Sequence, residues 1–182
     1  MKFTNGDIKG LILIEQTAFE DSRGYFFEAY NWKRFEQNGI STQFVQDNQS
    51  KSSYGVIRGL HYQLNPFAQA KLVRVLEGTI LDIAVDIRKD SPTYSQYYAV
   101  ELSADNKKQL YIPEGFAHGF SVLSKTAIVI YKCNAFYNKE SEAGIRFDDL
   151  DLNIDWKINP TDALISEKDQ ILPSLKKSLS NF

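Results

Sequence analysis

Only two side chains of this 182-residue chain are imidazoles, His61 and His118, so any proton exchange near neutral pH by histidine rests on them. His61 lies between Gly55 and a Lys71…Gly78 pair, and His118 closes the run Pro113-Glu-Gly115-Phe-Ala-His118. Lys71 changes what such a cluster can do. An ammonium has three donors and no acceptor, so it cannot ligate a cation and repels one nearby. A pocket holding His61, His118 and Lys71 suits an anion or a developing negative charge. Cys133, the only cysteine, reads as a small buried hydrophobe rather than a nucleophile.

These side chains need a frame. Short apolar runs broken by turn residues predict strands at Leu11–Glu15, Val56–Tyr62, Lys71–Leu76, Thr79–Ile87, Tyr97–Leu102, Gln109–Ile112 and Ala127–Cys133. Alternation places His61 with Gln63 on one face, Lys71 with Val73 and Val75 on another, and Tyr131 with Ala127, Val129 and Cys133 on a third. Arg58 and His61 have opposite parity, so both reach one pocket only if the chain bulges at Gly59. Glu77-Gly78 reads as a tight hairpin turn. A helix is expected from Trp32 to Gln37, capped by Asn31 and stopped by Gly39. Thr161-Asp162 and Ser166-x-x-Asp169 are helix-start signals in the tail. Closely spaced strands without intervening helices predict a mostly β sandwich or barrel with a short N-terminal helix and a helical C-terminal end.

Composition narrows the class. Lys and Arg number 21 against 23 acids, a net charge of −2 that argues against coating nucleic acid. No apolar run nears the roughly 20 residues a bilayer span needs, and the start carries no signal-peptide pattern. A lone cysteine makes no internal disulfide, which fits a reducing, cytoplasmic setting. No linker or repeat divides the chain, so residues 1–182 are expected to form a single domain.

The two histidine motifs resemble those of the cupins, a jelly-roll superfamily whose metal-binding members take two His and a Glu from the first motif and a His from the second. Here Gln63 stands at the second His and Lys71 at the Glu. Longer stretches narrow the resemblance. Asp21-Ser-Arg-Gly-Tyr-Phe-Phe-Glu28, Gln46-Asp-Asn48, Arg58-Gly-Leu-His61-Tyr-Gln63, Lys71-Leu-Val-Arg-Val75, Tyr131-Lys-Cys133 and Ser166-Glu-Lys-Asp169 are similar to the dTDP-4-dehydrorhamnose 3,5-epimerases. So are Asp82-Ile-Ala-Val-Asp-Ile-Arg88, Ser91-Pro-Thr-Tyr94 and Pro113-Glu-Gly-Phe-Ala-His-Gly-Phe120. The likeness runs from about Arg23 to Asp169. Phe147-Asp-Asp-Leu150 and Trp156-Lys157 depart from the family's usual Trp-Asn-Asp-Pro and Trp-Pro.

That resemblance implies a homodimeric jelly roll, with neither metal nor nicotinamide, that epimerises C3 and C5 of a dTDP-4-keto-6-deoxyhexose through an enolate. It implies His61 as base, Asp169 as the acid that holds its imidazole, Tyr131 as the proton donor and Lys71 as the enolate's partner. It implies substrate contacts from Arg23, Glu28, Gln46, Asn48, Arg58, Lys71, His118, Glu142 and Lys168, with Tyr137 stacked on thymine. Asp82 is expected to pair with Lys71. Asp169 also fits the third position of a capping box with Ser166, and one carboxylate cannot fully serve both roles; the site role is the one expected here. Asp86 and Arg88 are expected to be a structural pair. A sibling acting at C3 or C5 alone, a ketoisomerase, a metal-dependent cupin and a non-enzymatic nucleotide-sugar binder are the alternatives.

Overall fold

The computed structural model describes residues 1–182 and consists mainly of two packed antiparallel sheets. The first runs β1 (Lys2–Asn5), β2 (Ile12–Glu15), β10 (Gln109–Ile112), β7 (Lys71–Glu77), β12 (Thr126–Cys133), β5 (Gln46–Ser53). The second runs β13 (Glu142–Gly144), β6 (Val56–Gln63), β11 (Phe116–Val122), β8 (Thr79–Asp86), β9 (Tyr97–Ser103), and β14 (Leu164–Ile165) pairs in parallel with the start of β6. A separate hairpin, β3 (Phe19–Asp21) and β4 (Gly24–Phe26), pairs only with itself. No helix is long and apolar enough to cross a membrane.

Apolar side chains fill the space between the sheets: Val73, Val75, Leu110, Ala127 and Val129 from the first, Ile80, Ala84, Phe116, Phe120 and Val122 from the second. Each set alternates along its strand, as a two-layer core requires. The outer faces are covered separately. Helix α1 (Trp32–Gln37) lays Phe35 on Ile12, Ile14 and Leu72, while the segment carrying Ile145, Leu152, Trp156 and Leu175 covers Ile57, Ile83 and Val85. The Asn31 side chain accepts from Arg34 N–H at 3.2 Å, the expected N-cap. Trp156 donates its indole N–H to the Phe147 carbonyl at 2.8 Å, so the two departures from the family's pattern meet in one local contact.

Two expectations need correction. Glu77-Gly78 is a corner rather than a hairpin, because β7 and β8 belong to different sheets. Gly78 has φ +77°, and a Cβ there would fall 2.0 Å from the Thr126 carbonyl oxygen, so glycine alone lets the chain turn between layers. The tail is less helical than expected. Thr161-Asp162 lies in a single 3-10 turn capped by Asn159, and Ser166 starts only the four-residue α2 (Glu167–Gln170), with Pro173 soon after.

Candidate active site

At one end of the sandwich the interior turns polar. His61 and His118 face each other across β6 and β11, whereas Arg58 faces Phe120, so three steps on β6 answer two on β11. This is the bulge that parity demanded. Gly59 carries φ +133°, and a Cβ there would lie 2.5 Å from the Gly119 Cα; only a bare backbone fits. As a result Arg58 and His61 line one cavity of about 690 Å³, walled on its far side by Ala163–Gln170. Arg58 is anchored by its Nε donating to Ser52 Oγ at 3.1 Å.

His61 is one-third exposed to this cavity, and its Nε2–H donates to Asp169 Oδ1 at 2.8 Å. Asp169 Oδ2 accepts from the Gly59 N–H at 3.3 Å. The Ser166 side chain accepts from the Asp169 N–H, so half the capping box forms, but the carboxylate itself is committed to His61 and the bulge. Burial works against the Asp169 charge, yet the hydrogen bonds and charge of His61, with Gly59 and Ser166, hold its pKa below the usual value. With Nε2 spent on Asp169, the neutral ring presents Nδ1 as its proton acceptor.

Lys71 and Tyr131 enter from the opposite sheet. Lys71 is 8 % exposed, donates to the His61 carbonyl at 3.4 Å, and lies 5.9 Å from the Tyr131 ring centroid. Burial pushes its pKa down, with the neighbouring Cys133 and Asp82 opposing that shift. Burial raises the Tyr131 phenol, and the Arg58 charge works the other way. Asp82 is completely buried and accepts from His118 Nε2–H at 2.8 Å, leaving Oδ2 without a partner. The expected Asp82–Lys71 ion pair does not form: Asp82's direct contact is with His118, and it supports the Lys71 charge only from a distance across the shared interior. His118 is itself buried, which drives its pKa down despite Asp82. No three His, Cys, Asp or Glu side chains form a cluster able to hold a metal ion.

The rim brings together most of the remaining residues. Tyr137 donates its hydroxyl to Glu142 at 3.0 Å, and Glu142 pairs with Lys168. Gln46 donates to Asn48 at 3.0 Å and accepts from the Tyr137 N–H at 3.1 Å; Asn48 reaches Cys133 Sγ at 3.7 Å. Gln63, which the sequence places on the His61 face and at an exchanged ligand position, is buried and bound at both ends of its amide. Arg23 and Glu28 do not join within one chain. Arg23 is 88 % exposed on the free hairpin and paired with Asp21, and Glu28 is held by Asn31 and Arg34 beside α1. Asp86 and Arg88 form the expected structural pair at 2.7 Å, with Ser91 and Thr93 adding to a carboxylate held at about 2 against the pull of burial.

The model of the dTDP-4-dehydrorhamnose 3,5-epimerase family matches residues 5–177. The dTDP-4-dehydrorhamnose 3,5-epimerase of Shigella flexneri is 52% identical over 171 residues, 93% of either chain. The crystal structure of the Elizabethkingia anophelis enzyme of that name is 57% identical with a TM-score of 0.93, covering 97% of both chains. The Legionella pneumophila dTDP-6-deoxy-D-glucose-3,5-epimerase, solved in complex with dTDP-4-keto-L-rhamnose, has a TM-score of 0.93 at 46% identity, covering 97% of this chain and 93% of that one.

Proposed function

The chain belongs to the dTDP-4-dehydrorhamnose 3,5-epimerase family and is an isomerase of dTDP-L-rhamnose biosynthesis, and we propose that His61, Asp169, Tyr131 and Lys71 carry its chemistry. It converts dTDP-4-dehydro-6-deoxy-D-glucose to dTDP-4-dehydro-L-rhamnose, inverting C3 and C5. The C4 carbonyl acidifies both C–H bonds. His61 Nδ1 takes a proton, the electron pair moves into the C4 oxygen as an enolate, and a proton returns to the same carbon from the other face. Asp169 fixes the tautomer and stabilises the imidazolium that forms. Lys71 offers fixed positive charge to the enolate oxygen, an effect of about 3 kcal/mol in comparable oxyanion sites.

The observation that carries this reading is the placement of base and acid on opposite sheets. His61 stands on β6 and Tyr131 on β12, so a sugar ring between the layers meets one on each face. Arg58 and Lys168 are the cations suited to the diphosphate, and the exposed Tyr137 ring is suited to the thymine. Glu142, Asn48 and Gln46 border that path, and His118 supports the interior wall.

The chain works as a cytoplasmic homodimer in this reading. The β3–β4 hairpin leaves Phe19, Tyr25 and Phe26 between 57% and 71% exposed, a cost that a second copy removes by burying them. Seated there, the hairpin brings Arg23 and Glu28 to the partner's site. A free, buried cysteine suits a reducing compartment. Turnover in deuterated water tests the chemistry: NMR of the product is expected to show solvent deuterium at both C3 and C5. Label at one carbon alone would make the enzyme a single-centre epimerase, and label at neither would overturn the enolate route.

A further inference from the structure

We infer that Gln63, at the position where metal cupins carry a ligand, is a positioning residue that clamps the loop bearing Tyr137 and so sets nucleotide affinity. The inference rests on the reading of Tyr137 as the base-stacking residue. Tyr137 lies in a stretch between β12 and β13 that belongs to neither sheet, so no strand ladder holds its backbone. Side-chain amides do so instead. Gln63 Nε2 donates to the carbonyls of Phe67 at 2.6 Å and Phe136 at 3.2 Å, and its Oε1 accepts from the Asn138 N–H at 2.7 Å. Gln46 takes the Tyr137 N–H. The backbone immediately before, at and after Tyr137 is thus held by two glutamines.

Gln63 is 4 % exposed, and its amide is committed on both sides to main-chain groups. A buried side chain spent this way on two loops fixes their relative position, because each lost partner would leave a desolvated polar group unmet. The same pair of loops is lashed a second time: Gln69 donates to the Ala135 carbonyl at 2.8 Å, and Asn134 accepts from the Ala70 N–H at 2.7 Å. The Tyr137 hydroxyl is tied separately to Glu142, which sits opposite Gln63 in the β6–β13 register. Gln63 therefore acts on the ring through the backbone and does not touch the reacting atoms.

Gln63→Met keeps the length and removes every hydrogen bond. It is expected to weaken dTDP binding by calorimetry, and to raise KM, by about tenfold while kcat stays within about twofold. Gln69→Ala, which leaves Gln63 in place, is expected to act in the same direction by about threefold. In a Tyr137→Ala background both substitutions are expected to have no further effect on dTDP affinity, since residues acting through one another are not additive. If Tyr137→Ala weakens dTDP binding and neither loop variant does, the clamp is refuted while the stacking role stands. Full additivity with Tyr137→Ala would also refute it. If Tyr137→Ala leaves dTDP affinity unchanged, the stacking role itself falls, and the clamp with it.

Discussion

Two histidine–carboxylate pairs sit side by side in this molecule, one strand apart and with the same 2.8 Å contact through Nε2, yet they are built for different work. His61–Asp169 opens on the cavity, and its carboxylate comes from the short α2 outside the sheets. His118–Asp82 is enclosed, and both members come from adjacent central strands of the same sheet. Burial decides the difference. A base that must meet substrate needs an accessible lone pair and a partner able to stabilise its charged form. The enclosed pair has the partner without the access, and its imidazole is held neutral by desolvation. Geometry of the pair alone would not separate them.

The sharpest break between the two comes from the same substitution at each. His61→Asn removes the proton acceptor and is expected to lower kcat by about three decades or more, with solvent deuterium lost from both carbons. His118→Asn keeps a donor for Asp82 and is expected to cost less than about tenfold. Steady-state turnover of the two variants, with circular dichroism to confirm the fold, reads the comparison directly. Equal losses would mean that exposure does not assign the base.

The carboxylates give a second, smaller contrast. Asp169→Asn leaves an amide at hydrogen-bonding distance of His61 but no charge to stabilise the imidazolium, so kcat is expected to fall by about two decades with KM little changed. It also allows the amide to donate to the ring, which favours the wrong tautomer. The split between turnover and binding checks the mechanism: kcat of this variant is expected to fall at every pH without a matching loss of dTDP affinity by calorimetry. A variant with wild-type kcat would return Asp169 to a capping role.

Much of this arrangement was legible in the sequence, for reasons that differ by element. Around Lys71 and Tyr131 parity was enough to align the inward side chains, Lys71 with Val73 and Val75 and Tyr131 with Ala127 and Val129, because those positions share the core between the sheets. The need for a bulge at Gly59 followed from the same counting. β5 escaped because Gln46–Ser53 is polar throughout, an edge strand whose inward residues serve the site instead of the core. β11 escaped because Phe116–Val122 is buried on both faces, which erases the alternation. The corner at Gly78 was misread because a glycine at positive φ serves a hairpin and a sheet-to-sheet turn alike; only long-range pairing distinguishes them. The Asp82–His118 pair and the Gln63 clamp depend on neighbours 36 and 75 residues away, beyond any local pattern. Arg23 was singled out by likeness, and nothing in its own strand pair brings it to the site.

The smallest expected effect isolates the enclosed pair through stability. His118 is held below its ordinary value of 6.5 by burial, with Lys71 and His61 adding to the shift and Asp82 opposing it. As pH falls below 6.5 the unfolded chain takes up a proton that the folded His118 refuses, so acid favours unfolding. The stabilising term is full above that pH and is lost progressively toward the depressed native value. One proton limits the loss to about 2 kcal/mol between pH 6.5 and 5, a few degrees in Tm for a chain of this size. The buried carboxylates with lowered values, Asp86 at about 2 and Asp169 below 3.8, lose their contributions in more acidic solution than this. The exposed or half-exposed ones, Asp21, Glu142, Asp148 and Asp155, are common to the wild type and a His118 variant and cancel in the comparison. Thermal melts of the wild type and His118→Asn at pH 7.5 and 5 are expected to converge on acidification, the wild type losing more. Parallel melting curves would show that His118 takes up its proton inside the fold, and the contrast between an open and an enclosed histidine would then lie in access alone.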